Sequence, residues 1–203
     1  MERSVSRFVV VSIFAVIILS VISLLAWGLV NKSSVTGQSG ATRVGKEAPD
    51  FDLVLFDGGR LKLSERRGTI IVLNFWSSMC PPCREEAPIF EQAWRQYKDR
   101  GVLFVGANIQ DYDEGARDFI DEFSITYPNG PDENGHITID YGVVGMPVTF
   151  FVDPEGIVAR RWVGSIDGPQ LTTWIEDLLK GHSSGDVEGG NEGSYFKIHE
   201  VTP

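Results

Sequence analysis

The chain has 203 residues, with 28 Asp and Glu against 18 Lys and Arg and a formal charge of −10. That balance argues against nucleic acid as a partner, because a phosphate backbone selects basic surfaces. The length fits one domain of ordinary size plus extensions, and two cysteines are too few for a disulfide-stapled scaffold.

Residues 1–7 carry Arg3 and Arg7, and residues 8–30 carry no charge. At ~1.5 Å per residue, a helix over 8–30 crosses a ~30 Å hydrocarbon core. The run predicts a transmembrane anchor. Its positive flank keeps residues 1–7 in the cytoplasm, and Trp27 suits the outer interface. The rest of the chain then lies on the extracytoplasmic (periplasmic) side of the cytoplasmic membrane. A cleaved signal peptide is the alternative, since Ala26-Trp27-Gly28 has the small-x-small pattern of a cleavage site. Residues 31–45 are rich in Ser, Gly and Thr and read as a flexible tether with a reach of roughly 20 Å.

Residues 46–181 hold the folded domain. Phe51 to Phe56 and Arg60 to Leu63 flank Asp57-Gly58-Gly59, a hairpin signal. Thr69 to Phe75 is β-branched and apolar and predicts a buried central strand. A helix follows, marked by Ile89, Phe90, Ala93, Trp94 and Tyr97; Pro88 should bend it, and Gly101 stands where a C-cap belongs. Val102 to Ile109 predicts another strand, and Glu114 to Phe123 a helix. Tyr127 to Gly135 is punctuated by Pro128, Gly130, Pro131 and Gly135 and reads as loop. Val148 to Val152 and Ile157 to Val163 predict a second hairpin around Asp153-Pro154-Glu155-Gly156. Leu171, Trp174, Ile175, Leu178 and Leu179 mark a final amphipathic helix. Strands alternating with helices give an α/β class, a mixed sheet covered on both faces. Residues 182–203 are Gly- and Ser-rich and acidic, and disorder is the reading.

The chemistry concentrates at Trp76-Ser77-Ser78-Met79-Cys80-Pro81-Pro82-Cys83-Arg84-Glu85-Glu86, where the central strand turns into a helix. Unpaired N–H groups and the dipole at a helix start stabilise a thiolate, the nucleophile of thiol–disulfide exchange. A zinc site needs about four ligands. The chain has only these two Cys, and His136, His182 and His199 lack ligand spacing, so no metal is expected. A structural disulfide would close a very short loop and stabilise little. Strand–CxxC–helix is the redox signature. Periodicity also places Glu86 inward. Stepping back four residues from Phe90 lands on Glu86, whereas Glu85 aligns with the polar Gln92 and Gln96. A carboxyl group buried there should have a raised pKa and could exchange protons with the thiols.

This segment resembles thioredoxin-fold proteins of the membrane-anchored TlpA/ResA-like group of thiol–disulfide oxidoreductases, which includes cytochrome c maturation proteins. The residues that carry the likeness are Asn74-Phe75-Trp76, Cys80-Pro81-Pro82-Cys83, Glu86, Pro88 and Gly145-Met146-Pro147-Val148-Thr149-Phe150-Phe151. Many relatives have Trp where this chain has Met79. The resemblance implies a thioredoxin-like architecture over about 45–181, a cis Met146–Pro147 bond opposite the CxxC turn, and an acid at Glu86. Asn74 stands where thioredoxin carries a buried acid, and it reads as a satisfied polar residue.

The resulting expectation is an exported protein-disulfide reductase with Cys80, Cys83 and Glu86 as catalytic residues. Trp76, Met79, Pro81, Pro82, Met146 and Pro147 are the candidate client contacts. No cofactor is expected beyond the Cys80–Cys83 disulfide. The implied partners are apocytochrome c or other exported thiol proteins and a membrane thiol donor. A general extracytoplasmic reductase, a metal or haem chaperone and a thiol peroxidase on the same fold are the alternatives.

Overall fold

The computed structural model describes residues 44–181 and, nearer the N-terminus, Val16, Ile18 to Val21 and Ser23. The chain divides into two units, Met1–Gln38 and Ser39–Pro203. In the first unit the described residues are helical, and Val16, Ile18, Leu19 and Val21 are each at least half exposed. Among the described residues no helix is long and apolar enough to cross a membrane. Most of the expected anchor lies outside them, as do the tether up to Arg43 and the tail from His182.

The second unit is built on a five-stranded sheet. A short hairpin, β1 (Asp52–Val54) and β2 (Arg60–Lys62), comes first. The sheet strands follow as β3 (Ile70–Trp76), β4 (Val102–Asn108), β5 (Asn129–Pro131), β6 (Val148–Val152) and β7 (Val158–Val163). The helices between and after them are α1 (Pro81–Tyr97), α2 (Asp113–Glu122), α3 (His136–Asp140) and α4 (Gly168–Leu179). The strand order is β5-β4-β3-β6-β7. β3 pairs parallel with β4 and antiparallel with β6, so the expected mixed sheet is present. Parallel neighbours need a long crossover, which α1 supplies between β3 and β4.

Every residue of β3 is buried, as a central strand with both faces covered requires. The period-2 alternation sorts its side chains. Ile70, Val72 and Trp76 pack in the layer of Phe90, Phe104, Leu171 and Ile175, whereas Ile71, Leu73 and Phe75 pack with Leu53, Leu61, Tyr141 and Phe150. Each large apolar side chain fully buried this way contributes roughly 1.5–3 kcal/mol. Asn74 shares the parity of Val72 and Trp76, so it points into the α1 layer.

Tyr127 to Gly135 is not all loop. Asn129 to Pro131 form β5, pairing with Gly106 to Asn108 at the sheet edge. Pro131 is tolerated because an edge strand has one side without ladder bonds. Gly130 is needed because a Cβ there would lie 2.1 Å from the Val54 carbonyl oxygen. The helix α3 was not anticipated either; its five residues are too few to show a period. α1 continues through Pro88, and Gly101 closes the turn after it in the left-handed region at φ 82°.

Candidate active site

β3 delivers the chain to the top of the sheet, and α1 starts five residues after it ends. Cys80 is the N-cap between them, with extended backbone at φ −92°, ψ 106°. Cys80 and Cys83 form a disulfide with Cα atoms 5.3 Å apart. The Cys83 N–H donates to Cys80 Sγ at 3.3 Å, the geometry of a cap side chain taking an orphan donor. Pro81 and Pro82 open the helix and carry no N–H, so Cys83 supplies the first backbone donor of α1. After reduction the same N–H and the helix dipole favour a thiolate at Cys80. Exposure is 9% at Cys80 and 2% at Cys83, so the first sulfur is the more open of two shielded ones.

Glu86 lies one turn further along α1 and is 2% exposed. Its Oε1 accepts from Asn74 Nδ2 at 2.8 Å, and its Oε2 accepts from the Ile166 N–H at 3.2 Å. Burial pushes the carboxyl up to about 7, and the bonds from Asn74 and Ile166 hold it from rising further. A group titrating there can give or take a proton at neutral pH. Glu85, by contrast, faces solvent.

The approach to Cys80 is fixed by Asp111. Its carboxylate accepts from the Ser78 N–H at 2.5 Å, Ser78 Oγ at 2.7 Å, Asn108 Nδ2 at 2.9 Å and the Tyr112 N–H at 2.9 Å. Partial burial pushes this carboxyl up, but the donors from Ser78, Asn108 and Tyr112 outweigh it and hold it below its usual value. Arg84, next to Cys83, pairs with Glu122 and lies over the Phe119 and Phe123 rings.

Met79 is 67% exposed beside Cys80, Pro81 is exposed, and Pro82 and Met146 are half-buried. The Met146–Pro147 bond is cis. Met146 packs against the core cluster that contains both cysteines and also against the cluster on the other face of the sheet. The Pro147 ring is buried and its carbonyl accepts from the Gly164 N–H at 2.9 Å. Trp76 does not join this surface as expected. It is 2% exposed, stacked on Phe119 at 4.4 Å, and its Nε1 donates to Asn129 Oδ1 at 2.9 Å. Its strand parity turns the ring into the core, so it supports the turn from beneath rather than touching a client.

Thr149 and Ile166 were missed by sequence reasoning. Thr149 could have been found from strand parity, since it shares its face with Phe151. Ile166 contributes only a backbone N–H, which no side-chain pattern reveals.

Residues 44–161 match the AhpC/TSA family. The thiol-disulfide oxidoreductase ResA of Bacillus cereus is 30% identical over 168 residues, spanning 83% of this chain and 94% of that protein. A crystal structure from Chlorobium tepidum, assigned as a thiol:disulfide interchange protein DsbE, superposes with a TM-score of 0.64 at 32% identity, over 68% of this chain and 99% of that one. StoA from Bacillus subtilis superposes with a TM-score of 0.56 at 25% identity, over 63% and 97%. The fold is therefore thioredoxin-like. With a disulfide at the helix start and these relatives, the chain belongs to the AhpC/TSA family and is a thiol–disulfide oxidoreductase of the ResA, StoA and DsbE type.

Proposed function

We propose that this protein is a membrane-anchored, extracytoplasmic reductase of exported disulfides, and that its preferred client is the CxxCH pair of apocytochrome c. The observation that carries the exchange reading is the Cys80–Cys83 disulfide at the start of α1 with the buried Glu86 carboxyl, pushed up to about 7, one turn beyond it; the reducing direction rests on the exported client argued below. On this reading Glu86 is the proton acceptor, near neutral pH, for the shielded second thiol.

The steps follow from the asymmetry of the pair. The Cys80 thiolate attacks one sulfur of the client disulfide. A Cys80–client disulfide forms, and the other client sulfur leaves as a thiolate and takes up a proton. Glu86 accepts the Cys83 proton, and the Cys83 thiolate attacks Cys80 Sγ. The Cys80–Cys83 disulfide closes and the second client thiol is released. Two electrons have passed to the client. A membrane dithiol donor returns them by the reverse exchange and becomes a disulfide itself. No metal or cofactor is required by these steps.

Client contacts fall to Met79, Pro81, Pro82 and Met146, the accessible residues around the pair, with Pro147 shaping the strand behind them. The uncharged run of residues 8–30, with helical, exposed apolar residues at Val16, Ile18, Leu19 and Val21, supports the anchor. Exported proteins usually need disulfides made, so a reductase there needs a special client. CxxCH thiols, which must be reduced before haem attachment, fit that need. A general reductase without a preferred client would use the same chemistry.

The test is a Cys83→Ala variant expressed in place of the parent, with the mixed disulfide isolated under acid quench and its partner identified by mass spectrometry. A c-type apocytochrome is the expected partner. A broad set of exported proteins would replace the client assignment with the general reductase. No trapped partner at all would overturn both.

A further inference from the structure

Glu86 is held on its far side by a residue that the exchange steps do not use. Asn74 is 3% exposed and Thr149 is fully buried, and the two are register partners in adjacent antiparallel strands. Asn74 Nδ2 donates one hydrogen to Glu86 Oε1 at 2.8 Å and the other to Thr149 Oγ1 at 3.2 Å. The Ile166 N–H, on the second carboxyl oxygen, can only donate. It suits the ionised acid and cannot receive a proton from the neutral one. An amide differs, because it carries both a donor and an acceptor group. A threonine hydroxyl also serves in either sense.

We propose that Asn74, backed by Thr149, is the positioning residue for the Glu86 carboxyl: its amide donates to the ionised acid and, by turning over, accepts from the protonated one. Thr149 reverses in step. It accepts from Nδ2 in the first state and donates to Oδ1 in the second. The carboxyl group can then lose and regain its proton while buried, with Asn74 holding a bond to it in both states. This matters because an unmatched buried polar group is costly.

Other groups leave the task to this pair. From the segment before β5, Tyr127 senses the Glu86 charge, but burial first, and then the charges of Glu86 and Glu91, push its phenol far above its usual range, so it stays neutral. Glu91 on the same helix is engaged by Arg95 and by the Thr126 N–H and hydroxyl. In the reduced protein Cys83, three residues before Glu86, is the thiol of the same helix face.

The experiment reads the carboxyl directly, in full-length oxidised protein in which neither cysteine titrates. Carbon-13 NMR of glutamate-labelled protein follows the Glu86 resonance, assigned by its loss in Glu86→Gln. Charged acceptors hold a hydrogen bond more strongly than neutral ones, so Asn74→Ala should raise the Glu86 midpoint by about one pH unit. Thr149→Val, which leaves the amide in place, should raise it by less. Asn74→Asp keeps the shape but sets a second carboxylate against the first. It should give two coupled transitions, the upper one above the Asn74→Ala midpoint. A purely structural role would lower thermal stability and leave the midpoint alone. An unchanged midpoint in folded Asn74→Ala and Asn74→Asp overturns the proposal. If Asn74→Ala does not fold, the near-isosteric Asn74→Asp and Thr149→Val decide it. A shifted carboxyl midpoint with an unshifted pH profile of thiol alkylation would uphold Asn74 as the positioning residue and remove Glu86 from the exchange steps.

Discussion

The Ile166 N–H donates to Glu86 Oε2 at 3.2 Å, joining residues 80 apart in sequence. Two residues earlier the Gly164 N–H donates to the Pro147 carbonyl at 2.9 Å. Three consecutive residues between β7 and α4 therefore tie the buried acid of α1 to the cis-proline that leads into β6. The tie is anchored behind, because Asp167 caps α4 by accepting from the Gln170 N–H at 2.8 Å.

The first prediction concerns stability against pH. Glu86 is raised in the folded state from 4.5 to about 7. Between those values the folded protein binds more protons than the unfolded chain. Stability from this group is therefore fully present below pH 4.5 and is lost as pH rises through about 7. The span corresponds to roughly 3 kcal/mol. Urea unfolding of the oxidised parent, in which the thiols are silent, should weaken across that window. Glu86→Gln should flatten the curve and Glu85→Gln should leave it unchanged. Identical slopes in all three proteins would count against a buried, protonated Glu86.

The second prediction is an order of alkylation. In the reduced protein Cys80 faces the Cys83 N–H at the helix start, and Cys83 sits inside the first turn. Limited iodoacetamide followed by peptide mapping should find Cys80 modified first, by an excess of about tenfold or more, since reactivity follows thiolate fraction and access. Glu86→Gln should shift the pH profile of Cys83 more than that of Cys80. Equal rates at the two sulfurs would refute the asymmetry on which the exchange steps depend.

The redox pair, the central strand and the inward turn of Glu86 were legible because each rests on local spacing. A strand of seven buried residues leaves a continuous apolar run, and a helix of seventeen leaves a strong period. What was not legible depends on chain-distant partners. β5 has three residues and contains Gly and Pro, and only its pairing with β4 makes it a strand. Trp76 is among the client contacts expected from the sequence. Strand parity together with a hydrogen-bond acceptor 53 residues away decides that it is core. The Ile166 N–H leaves no mark on composition at all.

The third prediction follows from that buried indole. A Cβ on Gly106 would lie 1.7 Å from Asn129 Oδ1 and 2.7 Å from Trp76 Nε1. Asn129 cannot swing away freely, because its Nδ2 donates to the Tyr127 carbonyl at 2.9 Å. Gly106→Ala should break the Trp76–Asn129 bond and cost about 2–3 kcal/mol from overpacking and a stranded indole N–H. Chemical denaturation would measure it. Intrinsic fluorescence of the folded variant should also shift as the Trp76 ring moves. Wild-type stability would show that the β4–β5 contact is looser than described.

The last prediction tests what holds the loop before Cys80. Asp111 is part-buried, and four donors converge on its two oxygens, two of them from Ser78. An amide in its place would turn an NH2 group toward donors, so Asp111→Asn both loses acceptance and adds conflict. A loss of about 1.5–3 kcal/mol is expected, the range for hydrogen bonds to a charged group. Asp113→Asn is the control. That acid is exposed and paired with Arg117 one turn on, and such pairs contribute about 0.3–0.5 kcal/mol. The pH sign follows from the depressed Asp111 value. Its folded carboxyl binds a proton less readily than the unfolded one, so its contribution is present above 3.8 and is lost as pH falls through the lower folded value. The difference between parent and Asp111→Asn should therefore shrink on acidification below that point. Because Ser78 stands two residues before Cys80, the freed loop should also expose the disulfide. Reduction of Asp111→Asn by dithiothreitol at pH 7 should be faster than reduction of the parent, and that of Asp113→Asn should not. A destabilised Asp111→Asn with parental reduction kinetics would confine Asp111 to fold support and separate it from access to Cys80.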